Sequence, residues 1–144
     1  MKKNYNVIED GYGSNPMLIK RSIDNLAAMP GRKVAVLGEL GDMHKASSGL
    51  HKEVGKHCFD KGIDILCCVG DLGAEIGHGA EKAAEKALKK DPDAVKCEIL
   101  YYISREMLLK ELPEVLEDGD NVLVKGAPST NLRGIIDMLK AQQI

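Results

Sequence analysis

The sequence predicts an α/β fold, a three-layer sandwich built on a mostly parallel, Rossmann-like sheet of five to six strands. Strand-like and helix-like segments alternate along almost the whole chain. The strand-like segments are near-continuous apolar runs bounded by glycines, the pattern of parallel strands covered on both faces. Each helix-like segment carries one apolar stripe, and right-handed crossovers then distribute the helices over the two faces.

Taken in order, Tyr5, Val7 and Ile8 mark a first strand over 5–9. Asn15 can cap a helix over 16–29, and Pro16, as its first residue, has no amide hydrogen to leave unbonded. Ile19, Ile23 and Leu26 recur at i, i+4 and i+7 on its inner face. The run Lys-Val-Ala-Val-Leu-Gly gives a second strand over 33–38, followed by a helix over 48–61. A third strand spans 64–69, and Gly77-His78-Gly79 reads as the flexible lead into a helix over 78–90. Strands over 97–102 and 121–125 complete the sheet. The helix between them, 104–116, is capped by Ser104 without the acidic partner of a full capping box, because Met107 stands there. Its stripe is Leu108, Leu109, Leu112, Val115 and Leu116, with Pro113 interrupting, and a last helix covers 130–142.

The 144 residues fit one domain, 1–144, large enough to bury a core without disulfides. A net charge of −2, a single Phe and no Trp supply neither the attraction nor the stacking platform that nucleic acid needs. No apolar run approaches the roughly 20 residues that span a bilayer, and the polar start Met-Lys-Lys-Asn-Tyr-Asn lacks the core of a signal peptide. The expectation is a cytoplasmic protein with no membrane partner. Cys67 and Cys68 are adjacent and so point to opposite faces of a strand, while Cys58 and Cys97 stand alone; all four read as small buried residues of a reducing compartment. His51 and His57 are six apart, not the i, i+4 of a helical metal pair, so surface or packing roles are expected for them and for His44 and His78, with no metal site.

Many nucleotide binders share such a fold, yet no G-x-x-x-x-G-K-[ST] loop occurs. The chain cannot cradle a triphosphate by that route. The segment from Val7 to Pro16, Val-Ile-Glu-Asp-Gly-Tyr-Gly-Ser-Asn-Pro, instead joins a strand to a helix start through a carboxylate pair and a glycine-flanked tyrosine, where open α/β sheets place ligands.

Three blocks resemble the C-terminal domain of the Mur ligase family, most closely in the branch that adds D-alanyl-D-alanine to a UDP-N-acetylmuramoyl tripeptide. The segment 7–16 is similar to that family's I-D-D-x-Y-N-A-N-P. Val36-Leu37-Gly38-Glu39-Leu40-Gly41-Asp42-Met43, with Leu50-His51-Lys52-Glu53-Val54-Gly55 downstream, resembles its V-L-G-D-M-x-E-L-G and L-H-x-x-V-G. Val122-Leu123-Val124-Lys125-Gly126 resembles its V-L-V-K-G-S-R.

The resemblance implies an enzyme of three domains, of which the N-terminal and central ATPase domains lie outside this chain. That enzyme uses ATP and Mg²⁺ to turn a carboxylate into an acyl phosphate, which an amino-acid or dipeptide amine then attacks. The C-terminal domain closes over the site and excludes water. Alone, it is expected neither to catalyse nor to bind a cofactor tightly. By the same resemblance Asp10, Tyr12, Asn15 and Pro16 meet the nucleotide, while Glu39, Asp42, Lys125 and Gly126 meet the amine substrate. Plain roles stand beside these: an N-cap for Asn15, a turn aromatic for Tyr12, a solvated acidic loop for Glu39 and Asp42, and a surface lysine for Lys125.

Departures from the pattern bear on substrate. Gly13 and Glu9 replace the family's Asn and Asp, the acidic loop is reordered, and Ala127-Pro128 stands where Ser-Arg would follow Lys-Gly. The missing arginine removes a bidentate fork for a substrate carboxylate, and Arg133 on the following helix is the substitute that the sequence offers. A standalone module binding a small molecule or nucleotide, and an interaction domain that kept the fold and lost the site, are the alternatives.

Overall fold

The computed structural model describes residues 4–8, 16–40, 47–94, 97–127 and 130–141. Five strands, β1 (Asn6–Ile8), β2 (Lys33–Leu37), β3 (Ile65–Val69), β4 (Glu98–Tyr102) and β5 (Asn121–Lys125), alternate with five helices, α1 (Pro16–Ala27), α2 (Ser47–Asp60), α3 (Gly70–Lys90), α4 (Arg105–Val115) and α5 (Arg133–Ala141). All strand pairs are parallel, in the order β1-β5-β2-β3-β4.

Alternation along the strands sends side chains into two cores. On one face Leu37, Leu66, Cys68 and Leu123 meet the stripes of α1, α2 and α3 through Ile19, Ile23, Val54 and Ile76. On the other, Val36, Cys67, Val122 and Val124 meet α4 and α5 through Leu108, Leu112, Ile135 and Leu139. Three helices therefore cover one side and two the other, which is the three-layer arrangement expected.

Strand boundaries match the apolar runs to within about two residues, but α3 departs from expectation. It begins at Gly70, not near residue 78, and runs straight through Gly77-His78-Gly79. Packing explains the glycines. A Cβ at Gly79 would lie 2.0 Å from the carbonyl oxygen of Lys52, and one at Gly55 would lie 1.7 Å from that of Ile76, so α2 and α3 cross in backbone contact. Gly77 leaves room for the Tyr101 ring on the edge strand, 2.5 Å from where its Cβ would be. Here close approach outweighs the roughly 1 kcal/mol that each glycine costs a helix.

The α4 helix starts as its sequence indicates, with the Ser104 hydroxyl accepting the Met107 N–H at 3.3 Å, and it continues two residues past Pro113. Cys58, Cys67 and Cys68 are buried and all four thiols are reduced. Burial pushes the Cys67 and Cys97 thiols up to about 12, and Cys58 and Cys68 rise for the same reason, so none is a nucleophile at neutral pH. No described helix is long and apolar enough to cross a membrane.

Candidate functional site

At the carboxyl edge of the sheet, neighbouring strands part company. The chain leaves β2 and β3 for helices on one face, and leaves β4 and β5 for helices on the other. With α1 on the same face as α2 and α3, three such divergences, β3 from β4, β2 from β5 and β1 from β5, open the rim, and crevices of this origin are where α/β sheets hold ligands. A cleft of about 410 Å³ lies there, lined by Glu39 after β2, Gly70 and Asp71 where β3 enters α3, Ser104 and Arg105 at the start of α4, and Thr130 before α5. That volume falls at the small end of ligand pockets, roughly 300–1,000 Å³.

Glu39 and Thr130 are held by local structure. The β2 and β5 chains run on together past the sheet, with the Gly38 N–H donating to the Lys125 carbonyl at 3.0 Å and the Ala127 N–H to the Glu39 carbonyl at 2.7 Å. From the other side, His51 Nε2 accepts the Leu40 N–H at 3.0 Å. His51 is wholly buried, so of its two expected roles packing holds and a surface position does not. It fixes the backbone that carries Glu39. Thr130 folds back onto the strand end, its hydroxyl donating to the Ala127 carbonyl at 2.6 Å.

The expected substrate residues separate on this geometry. Glu39 lines the cleft. Lys125 is buried, 7% exposed, not the surface lysine of its plain reading, and strand alternation turns it to the Leu123 side, away from α4 and α5. Gly126 has a packing reason of its own: a Cβ there would sit 2.7 Å from the Thr130 hydroxyl and 2.9 Å from Leu132. Pro16 opens α1 as anticipated. Asp10, Tyr12, Asn15 and Asp42 lie outside the described residues.

Sequence reasoning missed Asp71, Arg105 and Thr130, although Arg105 follows a recognised cap. The rule that ligands gather beyond strand carboxyl ends would have found them once β3 and β4 were known to be neighbours. Arg133, offered as the substitute fork, is exposed on the first turn of α5 and does not line the cleft.

A second depression, of about 280 Å³ between α1 and α2, is lined only by charged side chains that pair among themselves or nearby: Lys20 with Glu53, Lys56 with Asp60, and His57 with Asp24 at 2.6 Å. Among the described residues no three His, Cys, Asp or Glu side chains converge as metal ligands.

Residues 1–128 match the family described as Mur ligase, glutamate ligase domain. The UDP-N-acetylmuramoyl-tripeptide–D-alanyl-D-alanine ligase of Bacillus subtilis (strain 168) is 30% identical over 132 residues, covering 90% of this chain and 27% of that protein. The ligase so named in Escherichia coli (strain K12) is 26% identical over 144 residues, covering 97% of this chain and 28% of its own. Among solved structures, the MurF ligase from Thermotoga maritima in complex with ADP superposes with a TM-score of 0.71 at 23% identity, over 99% of this chain and 30% of that one. MurF from Acinetobacter baumannii gives 0.77 at 20% identity, over 96% of this chain and 29% of that one. At such identities the structures establish the shared fold. This chain spans less than a third of the length of these relatives. With the family matched over most of its length, on a fold of parallel strands that the solved ligases share, the chain belongs to the Mur ligase family as its C-terminal domain.

Proposed function

We propose that this chain acts as the closing domain of an ATP-dependent, amide-forming ligase of peptidoglycan precursors, and that its rim cleft receives the incoming amine. The observation that carries the reading is the cleft itself, which sets one guanidinium, Arg105, against two carboxylates, Glu39 and Asp71, at the edge where the fold opens. A small zwitterion, an amino acid or dipeptide, is the ligand class with matching charges. In the reaction implied by the family, a substrate carboxylate takes the γ-phosphoryl group of ATP and ADP leaves. The amine nitrogen then bonds to the acyl carbon, phosphate departs, and the ammonium gives up its proton. A central ATPase domain supplies the nucleotide chemistry and the metal. This chain contributes Glu39 to hold the ammonium, the segment around Asp10, Tyr12, Asn15 and Pro16 to meet the nucleotide, and a wall that excludes water from an acyl phosphate.

The relative from Bacillus subtilis is named for D-alanyl-D-alanine, and the Thermotoga maritima structure holds ADP, which supports both halves of this reading. The test is an amide-resolved NMR titration of the 144-residue chain with D-alanyl-D-alanine and, separately, ADP. Shifts at Glu39, Asp71 and Arg105 with the dipeptide, and at Tyr12 and Asn15 with the nucleotide, are expected. No response to either ligand at millimolar concentration would sink it.

A further inference from the structure

We propose that Arg105 is the carboxylate clamp of this cleft and fixes the direction in which a zwitterion binds, with its carboxylate toward α4 and its ammonium toward Glu39 and Asp71. The inference rests on the amine-binding reading above and adds to it the residue that holds the ligand's carboxylate.

The geometry places the guanidinium at the cleft with donors that its resting contacts use poorly. Arg105 leaves the first turn of α4 with its side chain 30% exposed, reaching the loop before α5. There Nη1 donates to the Asn131 carbonyl at 3.5 Å and Nη2 to Glu106 Oε1 at 3.4 Å. Both lie at the outer limit of hydrogen bonding, whereas a guanidinium grips a carboxylate at roughly 2.7–2.9 Å through two parallel bonds. A ligand carboxylate therefore offers Arg105 better partners than its resting ones. Gly134 makes the pose possible, since a Cβ at that position would stand 3.1 Å from Nη1.

Neither other cation suggested by the sequence competes. Lys125 turns to the opposite face of the sheet, and Arg133 does not line the cleft. Around Arg105 the wall is mixed. Val69 and Ile103, the latter 85% exposed, give apolar surface suited to a small side chain, and Glu39 and Asp71 give the counter-pole.

The experiment is a calorimetric titration of the 144-residue chain with D-alanyl-D-alanine, its C-terminal amide and its N-acetyl form. The free dipeptide is expected to bind at least tenfold more tightly than either blocked form. In Arg105→Ala the advantage of acid over amide should vanish while that of free amine over N-acetyl remains. A general loss of cleft structure would erase both. Arg105→Gln, which keeps length and some hydrogen bonding without charge, serves as a second variant should Arg105→Ala not fold, and the same selective loss is expected. A tenfold acid-over-amide preference surviving in either variant overturns the clamp but leaves the amine-binding reading standing. Failure of the parent chain to bind any of the three overturns that reading and the clamp together.

Discussion

Asp120 is 1% exposed and carries more hydrogen bonds than its place in a short turn suggests. Its two oxygens accept Arg32 Nε and Nη2, each at 3.0 Å, and the Glu117 N–H at 2.8 Å, while Arg32 Nη2 also reaches the Val115 carbonyl at 2.7 Å. The fork ties the starts of β2 and β5 to the end of α4, at the amino edge of the sheet. Removing the carboxylate takes the bidentate partner from a half-buried guanidinium and leaves it the exposed Glu117 and the Val115 carbonyl, so Asp120→Ala should cost about 3 kcal/mol in urea unfolding, with ligand binding at the far rim unchanged. A loss under about 0.5 kcal/mol would reduce the fork to an ordinary surface pair. His51 makes the complementary case. His51→Ala leaves the buried Leu40 N–H without its acceptor and opens a cavity, so it should cost about 2–4 kcal/mol and weaken amine binding through a displaced Glu39.

Elements were legible where one signal dominated. β3 reads from its apolar run because every one of its five residues is buried, and α4 reads from Ser104 because the cap forms as its residue type predicts. The start of α3 was not legible, since glycines that usually break a helix are here required by contact with α2 and Tyr101. Propensity is local, and the neighbour that overrides it lies more than 20 residues away in sequence. Gly55→Ala or Gly79→Ala should therefore destabilise the fold by at least about 3 kcal/mol or prevent folding, because the added methyl meets backbone that cannot yield. Gly49→Ala, also in α2 but facing open space, should raise stability by about 0.5 kcal/mol. Thermal unfolding of the three variants separates packing from propensity; equal effects at all three positions would refute the contact.

Across the whole molecule the fold class was legible because the βα alternation indicates it, whereas the strand order was not and the site was only partly so. Glu39 could be found from its block, but Arg105 and Asp71 join it only through the strand order, which no periodicity encodes. The same global burial sets the pH range of the protein. Cys67 and Cys97 are raised by burial from 9.0 to about 12, so they stay neutral in the fold while an unfolded chain ionises earlier. Their stabilising effect is complete below pH 9.0 and drains away as pH rises toward about 12. Glu75 has the opposite sign. The Ser48 hydroxyl, first, and Lys52 hold its carboxyl below the ordinary 4.5, so its contribution exists above that value and is lost as pH falls below it. The melting temperature should therefore stay level between about pH 5 and 9 and decline on both sides, and Cys67→Ala should flatten the alkaline decline. An alkaline limb unaltered by that replacement would assign it to other groups, the buried Tyr102 foremost.

The glycine seam between α2 and α3 also bears on motion. Helices that touch main chain to main chain cannot shear without collision, so the end of β2 that leads to Glu39 and the first turn of α3 that carries Asp71 travel as one jaw. Any adjustment of gape to a longer or shorter ligand must then come from the opposing jaw, where Arg105 stands on the first turn of α4, since Thr130 is tied through Ala127 to Glu39. Selection for a different ligand would accordingly rewrite that half and spare the other.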